Sequence, residues 1–208
     1  EAPGPNNDKL HPRITDTAKR LWFIYISFTI LEAILLSFAG MSIFDAANHA
    51  MSTMASGGFS TKNNSLAFWN HLPLVQYIII LFMFLAGSNF VLSYFALTGK
   101  INKVIKDDEF KTFLSLVLFF SLTVFIIIYT SVNLNNIYFE NSQIFGKLEG
   151  SIRHSLFQVL AIITTTGFVT ADYTAWTPFL TILFFGFMFL GGSAGSTSGG
   201  IKVVRHLL

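Results

Sequence analysis

Cysteine is absent from this 208-residue chain. That excludes a disulfide framework and any thiolate metal site, and leaves no redox signature of a compartment. Charge is scarce too: Asp, Glu, Lys and Arg make up 12% of the residues, against roughly 25% in an ordinary soluble domain. The net charge of +2 is too small for a nucleic-acid surface. The sequence has neither an initiating Met nor a signal peptide, and reads as a fragment of a longer chain. What is abundant is apolar side chain, 52% of the total, with 24 Phe. Lipid is the expected main solvent.

The apolar residues fall into long runs. Segments 21–40, 74–97 and 113–132 each meet the roughly 20-residue length of a spanning helix. Segment 179–190 is intensely apolar but short. It runs into GGSAGSTSGG at 191–200 and resumes as IKVVRHLL, the pattern of a helix interrupted inside the membrane. Lys9, Arg13, Lys19 and Arg20 precede the first run, Lys100, Lys103, Lys106 and Lys111 separate the second from the third, and Lys202 and Arg205 follow the fourth. Only Lys62, Lys147 and Arg153 occupy the alternate connections. The basic sites are therefore expected on the cytoplasmic side.

The two opposite connections carry short, moderately apolar stretches at 44–55 and 152–164, each long enough for half a bilayer. A re-entrant helix suits them better than a span. Each is followed by small, hydroxyl-rich residues. Offset by 109 positions, TMASGGFST lies over IITTTGFVT, aligning Gly58 with Gly167, Phe59 with Phe168 and Thr61 with Thr170. The two units run in the same direction, so the repeat is parallel. Irregular backbone at membrane depth is tolerated only in protein or along a wet path. A cation is a natural partner for the carbonyl end of a half-helix. Ser56, Gly57, Gly58 and Phe59, with Thr165, Thr166, Gly167 and Phe168, are therefore the candidate backbone donors to a dehydrated cation. Two ordinary Gly-rich turns remain the plain alternative.

MASGGFSTKNNS, ITTTGFVTADYTAW and GGSAGSTSGGIKVVR resemble the Trk/Ktr/HKT superfamily of potassium transporters. The opening EAPGPNNDKLHPRI and the LAGSNF stretch are similar to bacterial Trk-type membrane subunits. The resemblance covers essentially the whole chain. It implies an all-α membrane protein of two parallel helix–pore-helix–filter loop–helix repeats, potassium-channel-like, the second and third of four. Residues 1–98 form one repeat, 99–111 a cytoplasmic linker, and 112–208 the other. The resemblance further implies potassium as the permeant ion with no cofactor in this chain. It also implies a homodimer, a cytoplasmic nucleotide-binding regulatory subunit, and a multi-pass place in the cytoplasmic membrane with the filter loops outside. The family's gate maps onto Gly191, Gly192, Ser193, Gly195, Ser196, Thr197, Ser198, Gly199 and Gly200. A passive kink is the alternative for that loop.

Other residues carry weaker signals. Asp45 and Asp172 lie near the expected outer mouth, where Asp45 can also cap its half-helix. Glu32 is costly inside an apolar span and is expected to pair with another helix. Asn89 either lines a cavity or bonds between helices. His49 and His154 read as interfacial packing residues, and 106–109 as a solvated cytoplasmic turn. Gly191 to Gly195 formally fits G-x-S-x-G, so an intramembrane serine protease using Ser193 is an alternative. The strand–turn–helix context for it is missing. A sodium- or proton-coupled carrier is another alternative, although carriers commonly carry inverted repeats. A phosphate loop is excluded, because Ile201 separates Gly200 from Lys202.

Overall fold

The computed structural model describes residues 14–132 and 145–207. Lys9, Arg13 and most of the opening stretch lie outside the described residues. In order, the helices are α1 (Ile14–Phe38), α2 (Ile43–Met54), α3 (Pro73–Gly87), α4 (Phe90–Leu97), α5 (Ile101–Lys106), α6 (Asp108–Ser131), α7 (Lys147–Ile163), α8 (Pro178–Phe187) and α9 (Val203–Leu207). Short 3-10 turns sit at Ser65–Trp69 and Tyr173–Ala175. Among the described residues the only β pairing is a parallel bridge between Leu190 and Ile201.

Helices α1 and α6 are long and apolar enough to cross a bilayer. Their outer faces expose Trp22, Phe23, Ile30 and Ile34 on α1, and Leu118, Phe119, Leu122 and Ile126 on α6. Backbone groups on such a face are already paired within the helix, so it can meet hydrocarbon. Helix α2 spans 12 residues, about 18 Å, and α7 spans 17, about 25 Å. Both are too short to cross. They are the shielded elements: α2 packs on α1 and α3, and α7 on α6, α3 and α8. One apolar cluster joins Met83 of α3, Phe113 and Val117 of α6, Phe157 and Leu160 of α7, and Leu180 and Phe184 of α8.

Local chemistry sets the starts. Ser42 caps α2 by accepting from Asp45 N at 3.1 Å, and its hydroxyl donates to Asp45 Oδ2 at 2.8 Å. Pro73 and Pro178 occupy the first turns of α3 and α8, where no N–H is missed. Asp107 caps α6 by accepting from Phe110 N at 2.7 Å, with Asp108 and Glu109 at the positive helix end. Removing the α2 cap in Ser42→Ala should cost about 1 kcal/mol. The check is the melting temperature of the detergent-solubilised full-length protein, which would stay put if the cap were idle.

The single span expected over 74–97 is broken: α3 and α4 meet at 110° across Ser88 and Asn89. Hydrogen bonding explains the break. In a continuous helix Ala86 O and Gly87 O would accept from Phe90 N and Val91 N. Instead Ala86 O accepts from Thr197 N at 3.2 Å and Gly87 O from Ser193 N at 2.8 Å. Phe90 N donates to Gly195 O at 3.3 Å, and Val91 N to Asn89 Oδ1 at 2.9 Å. The 191–200 loop thus takes over the helix's own bonds, and Asn89 caps the new helix rather than bridging two.

Candidate functional site

The stretches following α2 and α7 leave their helices in the same way. Ala55 N and Ser56 N donate to Met51 O and Thr53 O at 3.1 and 3.0 Å. Thr164 N and Thr165 N donate to Leu160 O and Ile162 O at 2.8 and 3.0 Å, each pair 109 positions on. Ser56 (φ 52) and Thr165 (φ 57) are both left-handed, a conformation costly for a residue with a Cβ. Gly58 (φ 69) and Gly167 (φ 78) follow. The third bond differs: Ser52 O accepts from Gly57 N at 2.8 Å, but Ala161 O accepts from Gly167 N at 2.9 Å.

The two loops touch. A Cβ on Gly58 would stand 1.9 Å from Thr166 O, so only a glycine permits this approach of backbones. A Cβ on Gly167 would meet nothing within 4 Å. The aligned phenylalanines also differ. Phe168 is fully buried and stacks on His49 at 5.8 Å, whereas Phe59 is 81% exposed.

Polar side chains support both loops. Thr61 Oγ1 donates to Asp45 Oδ1 in the first. His154 Nδ1 lies 2.9 Å from Thr170 Oγ1 in the second. Asp45 and His154, like Thr61 and Thr170, are 109 positions apart, so one contact is made with different chemistry. The Thr61 hydroxyl, helped by Ser42 and Lys62, holds the Asp45 carboxyl below its ordinary value and keeps it ionised. His49 Nδ1 lies 2.7 Å from Asp45 O and Nε2 lies 2.9 Å from Ser60 Oγ. A carbonyl can only accept, so Nδ1 carries the proton. His49 and His154 are both fully buried and support the loops from within the protein. Asp172 caps the turn Tyr173–Ala175 through Thr174 N at 3.0 Å.

The 191–200 loop lies against both stretches. Thr197 Oγ1 is 3.1 Å from Ser56 Oγ, and Gly199 N donates to Thr165 Oγ1 at 2.7 Å. Within the loop, Ser196 Oγ donates to Ser193 O at 2.6 Å and Gly192 N to Ser198 Oγ at 3.0 Å. Lys202 Nζ donates to Ser198 O and, at 3.1 Å, to Ser196 Oγ. In this conformation the loop is an internally bonded turn rather than a slack tether. Gly191 and Gly200 sit at its pinched base beside the Leu190–Ile201 bridge.

Three residues behave otherwise than their sequence context suggests. Glu109, expected in a solvated turn, is buried, and its Oε1 accepts from Ala194 N in the loop. Glu32 is buried, and among the described residues neither carboxyl oxygen has a hydrogen-bond partner; the Thr53 hydroxyl donates to His49 O at 2.8 Å. Arg153, counted among the outer cations, is fully buried and pairs with Glu149 at 2.7 Å. A carboxylate one turn before an arginine was the only hint in the sequence. Among the described residues Ser193 Oγ has no hydrogen-bond partner and no base beside it that would activate a nucleophile.

Described residues that are helical but for one isolated bridge, with two helices of spanning length, a broken apolar pair and internal loops between them, make this a helical membrane protein. A family model described as TrkH, cation transport protein, matches residues 4–208, and the chain belongs to that family. The Trk system potassium uptake proteins TrkH of Salmonella typhimurium (strain LT2) and Escherichia coli (strain K12) are each 40% identical to it over 210 residues, covering 100% of this chain and 41% of each relative. TrkG of Escherichia coli (strain K12) is 36% identical, over 100% of this chain and 41% of its own. The crystal structure of the potassium transporter TrkH from Vibrio parahaemolyticus matches with a TM-score of 0.83 at 34% identity, over 95% of this chain and 40% of that one. The chain thus spans about two fifths of the length of these relatives. These relatives carry the names of potassium uptake proteins, which lends the protease alternative no support.

Proposed function

We propose that the chain is the central part of a potassium uptake protein, and that residues 56–59 and 165–168 supply backbone oxygens to the permeating ion. The observation that carries this reading is the meeting of two like-built glycine loops, backbone against backbone, at Gly58 and Thr166. Carbonyl rings that replace an ion's hydration shell require such close, side-chain-free approach. Two repeats, 1–98 and 112–208 joined by the linker 99–111, contribute half of such a ring. Two further repeats of the same polypeptide complete it. The exposed Phe59 supports this, because the equivalent Phe168 is covered by His49 of the preceding unit.

In this reading the chain is multi-pass in the cytoplasmic membrane, with the glycine loops toward the outside. The 191–200 loop is its gate, and its bonds to Ser56 and Thr165 support a position directly beneath the filter. A homodimer bearing a cytoplasmic nucleotide-binding subunit remains the expected assembly. Rubidium uptake by the full-length protein, with sodium as competitor, tests the filter. Gly58→Ser and Gly167→Ser should each lower potassium-over-sodium discrimination; discrimination intact in both would sink the assignment.

A further inference from the structure

The second glycine loop is held from outside by the first unit. The turn Ser65–Trp69 lies against Val169, whose N donates to Ser65 Oγ at 3.2 Å and whose O accepts from Ala67 N at 3.0 Å. Ser65 adopts φ 51 to do so. One residue on, Thr170 O accepts from Asn70 Nδ2 at 3.3 Å. Asn70 Oδ1 in turn accepts from Gln76 Nε2 at 2.7 Å, and Gln76 Oε1 accepts from Arg153 on α7. Asn70, Gln76 and Arg153 are all fully buried.

A buried polar chain of this kind is retained only when every member is satisfied, and satisfied chains are rigid. A network that merely stapled α3 to α7 would end on helix side chains. This one ends on loop backbone, two and three residues beyond Gly167. The other end of the loop is pinned as well, by the bond from Gly199 N to Thr165 Oγ1 at 2.7 Å. Between the pins lie Thr166, Gly167 and Phe168, the proposed ion-facing stretch.

We infer that the turn Ser65–Trp69, tied down by the Asn70–Gln76–Arg153 chain, is a brace that sets the carbonyl geometry of the second loop, with Ser65 and Asn70 as positioning residues for ion discrimination. They touch no ion and act by fixing Val169 and Thr170. The inference rests on the filter reading of 165–168.

The test is rubidium uptake with sodium competition in the full-length protein carrying Ser65→Ala or Asn70→Asp. The aspartate still accepts from Gln76 but has no donor for Thr170 O. Each variant should lower potassium-over-sodium discrimination about tenfold, the effect of about 1.4 kcal/mol, at unchanged membrane abundance and melting temperature. A merely structural role would move abundance and maximal rate, not the ratio. A ratio within about twofold of the parent in Ser65→Ala, while Gly167→Ser lowers it, overturns the brace and spares the filter. Should Asn70→Asp fail to fold, the Ser65→Ala ratio alone decides. Should Gly167→Ser leave the ratio intact as well, the filter reading falls and the brace falls with it.

Discussion

Gly58→Ala is expected to cut rubidium uptake by the full-length protein far more deeply than Gly167→Ala, leaving a small residual flux. The two glycines align in sequence, so the difference is purely spatial. At Gly58 the new methyl would stand 1.9 Å from Thr166 O, and the backbone is already at φ 69. The neighbour cannot easily yield: Thr166 Oγ1 is 2.8 Å from Thr164 Oγ1, and the next residue, Gly167, donates its N–H to Ala161 O at 2.9 Å. Overpacking plus a left-handed Cβ costs roughly 2–5 kcal/mol here. At Gly167 only the left-handed term applies, about 1–2 kcal/mol, because no atom lies within 4 Å of the added carbon. Initial uptake rates at matched membrane abundance decide it. Equal losses at the two positions would contradict the loop-to-loop contact.

Glu109→Ala should raise basal rubidium flux in the absence of any activating signal, and Glu109→Gln should not. Glu109 lies in the first turn of α6, within the stretch 99–111, and accepts from Ala194 N inside the 191–200 loop. Alanine leaves that half-buried N–H without its acceptor in this loop conformation, a bias of about 1–2 kcal/mol. That shifts the loop's equilibrium on the order of tenfold toward a conformation where water can reach the group. Glutamine keeps an acceptor oxygen at the same place. Deleting part of 193–199 should act in the same direction and more strongly. Parental flux and regulation in both the deletion and Glu109→Ala would speak for a passive kink.

The elements legible in the sequence were those governed by one dominant force. Apolar length marked α1 and α6, whereas the cap of α2 expected of Asp45 falls to Ser42, three residues earlier. The loops at 56–59 and 165–168 were legible through their spacing of 109 and their glycines. The span over 74–97 misled because LAGSNF contains no proline to announce a break. The carbonyls of Ala86 and Gly87 leave the helix only because donors from a loop more than a hundred residues away take them. Glu109 misled in the same way. Three charged neighbours made it read as solvated, whereas it is buried and accepts from Ala194 N of a distant loop.

The amino-acid sequence by itself marked a helical membrane chain and two stretches, 109 positions apart, in each of which a glycine segment follows a short helix. Hydrophobic run length and the alternation of basic residues suffice for that, because transfer into lipid is a sum over local composition. Only the tertiary structure decided that Gly58 must be glycine for space and Gly167 for backbone angle alone, that α3 ends where the 191–200 loop docks, and that Arg153 is buried behind the second loop. Those are outcomes of hydrogen-bond partnership between segments distant in sequence. A polar group's partner is chosen by which atoms the fold brings within about 3 Å, and no pattern along one segment encodes the other.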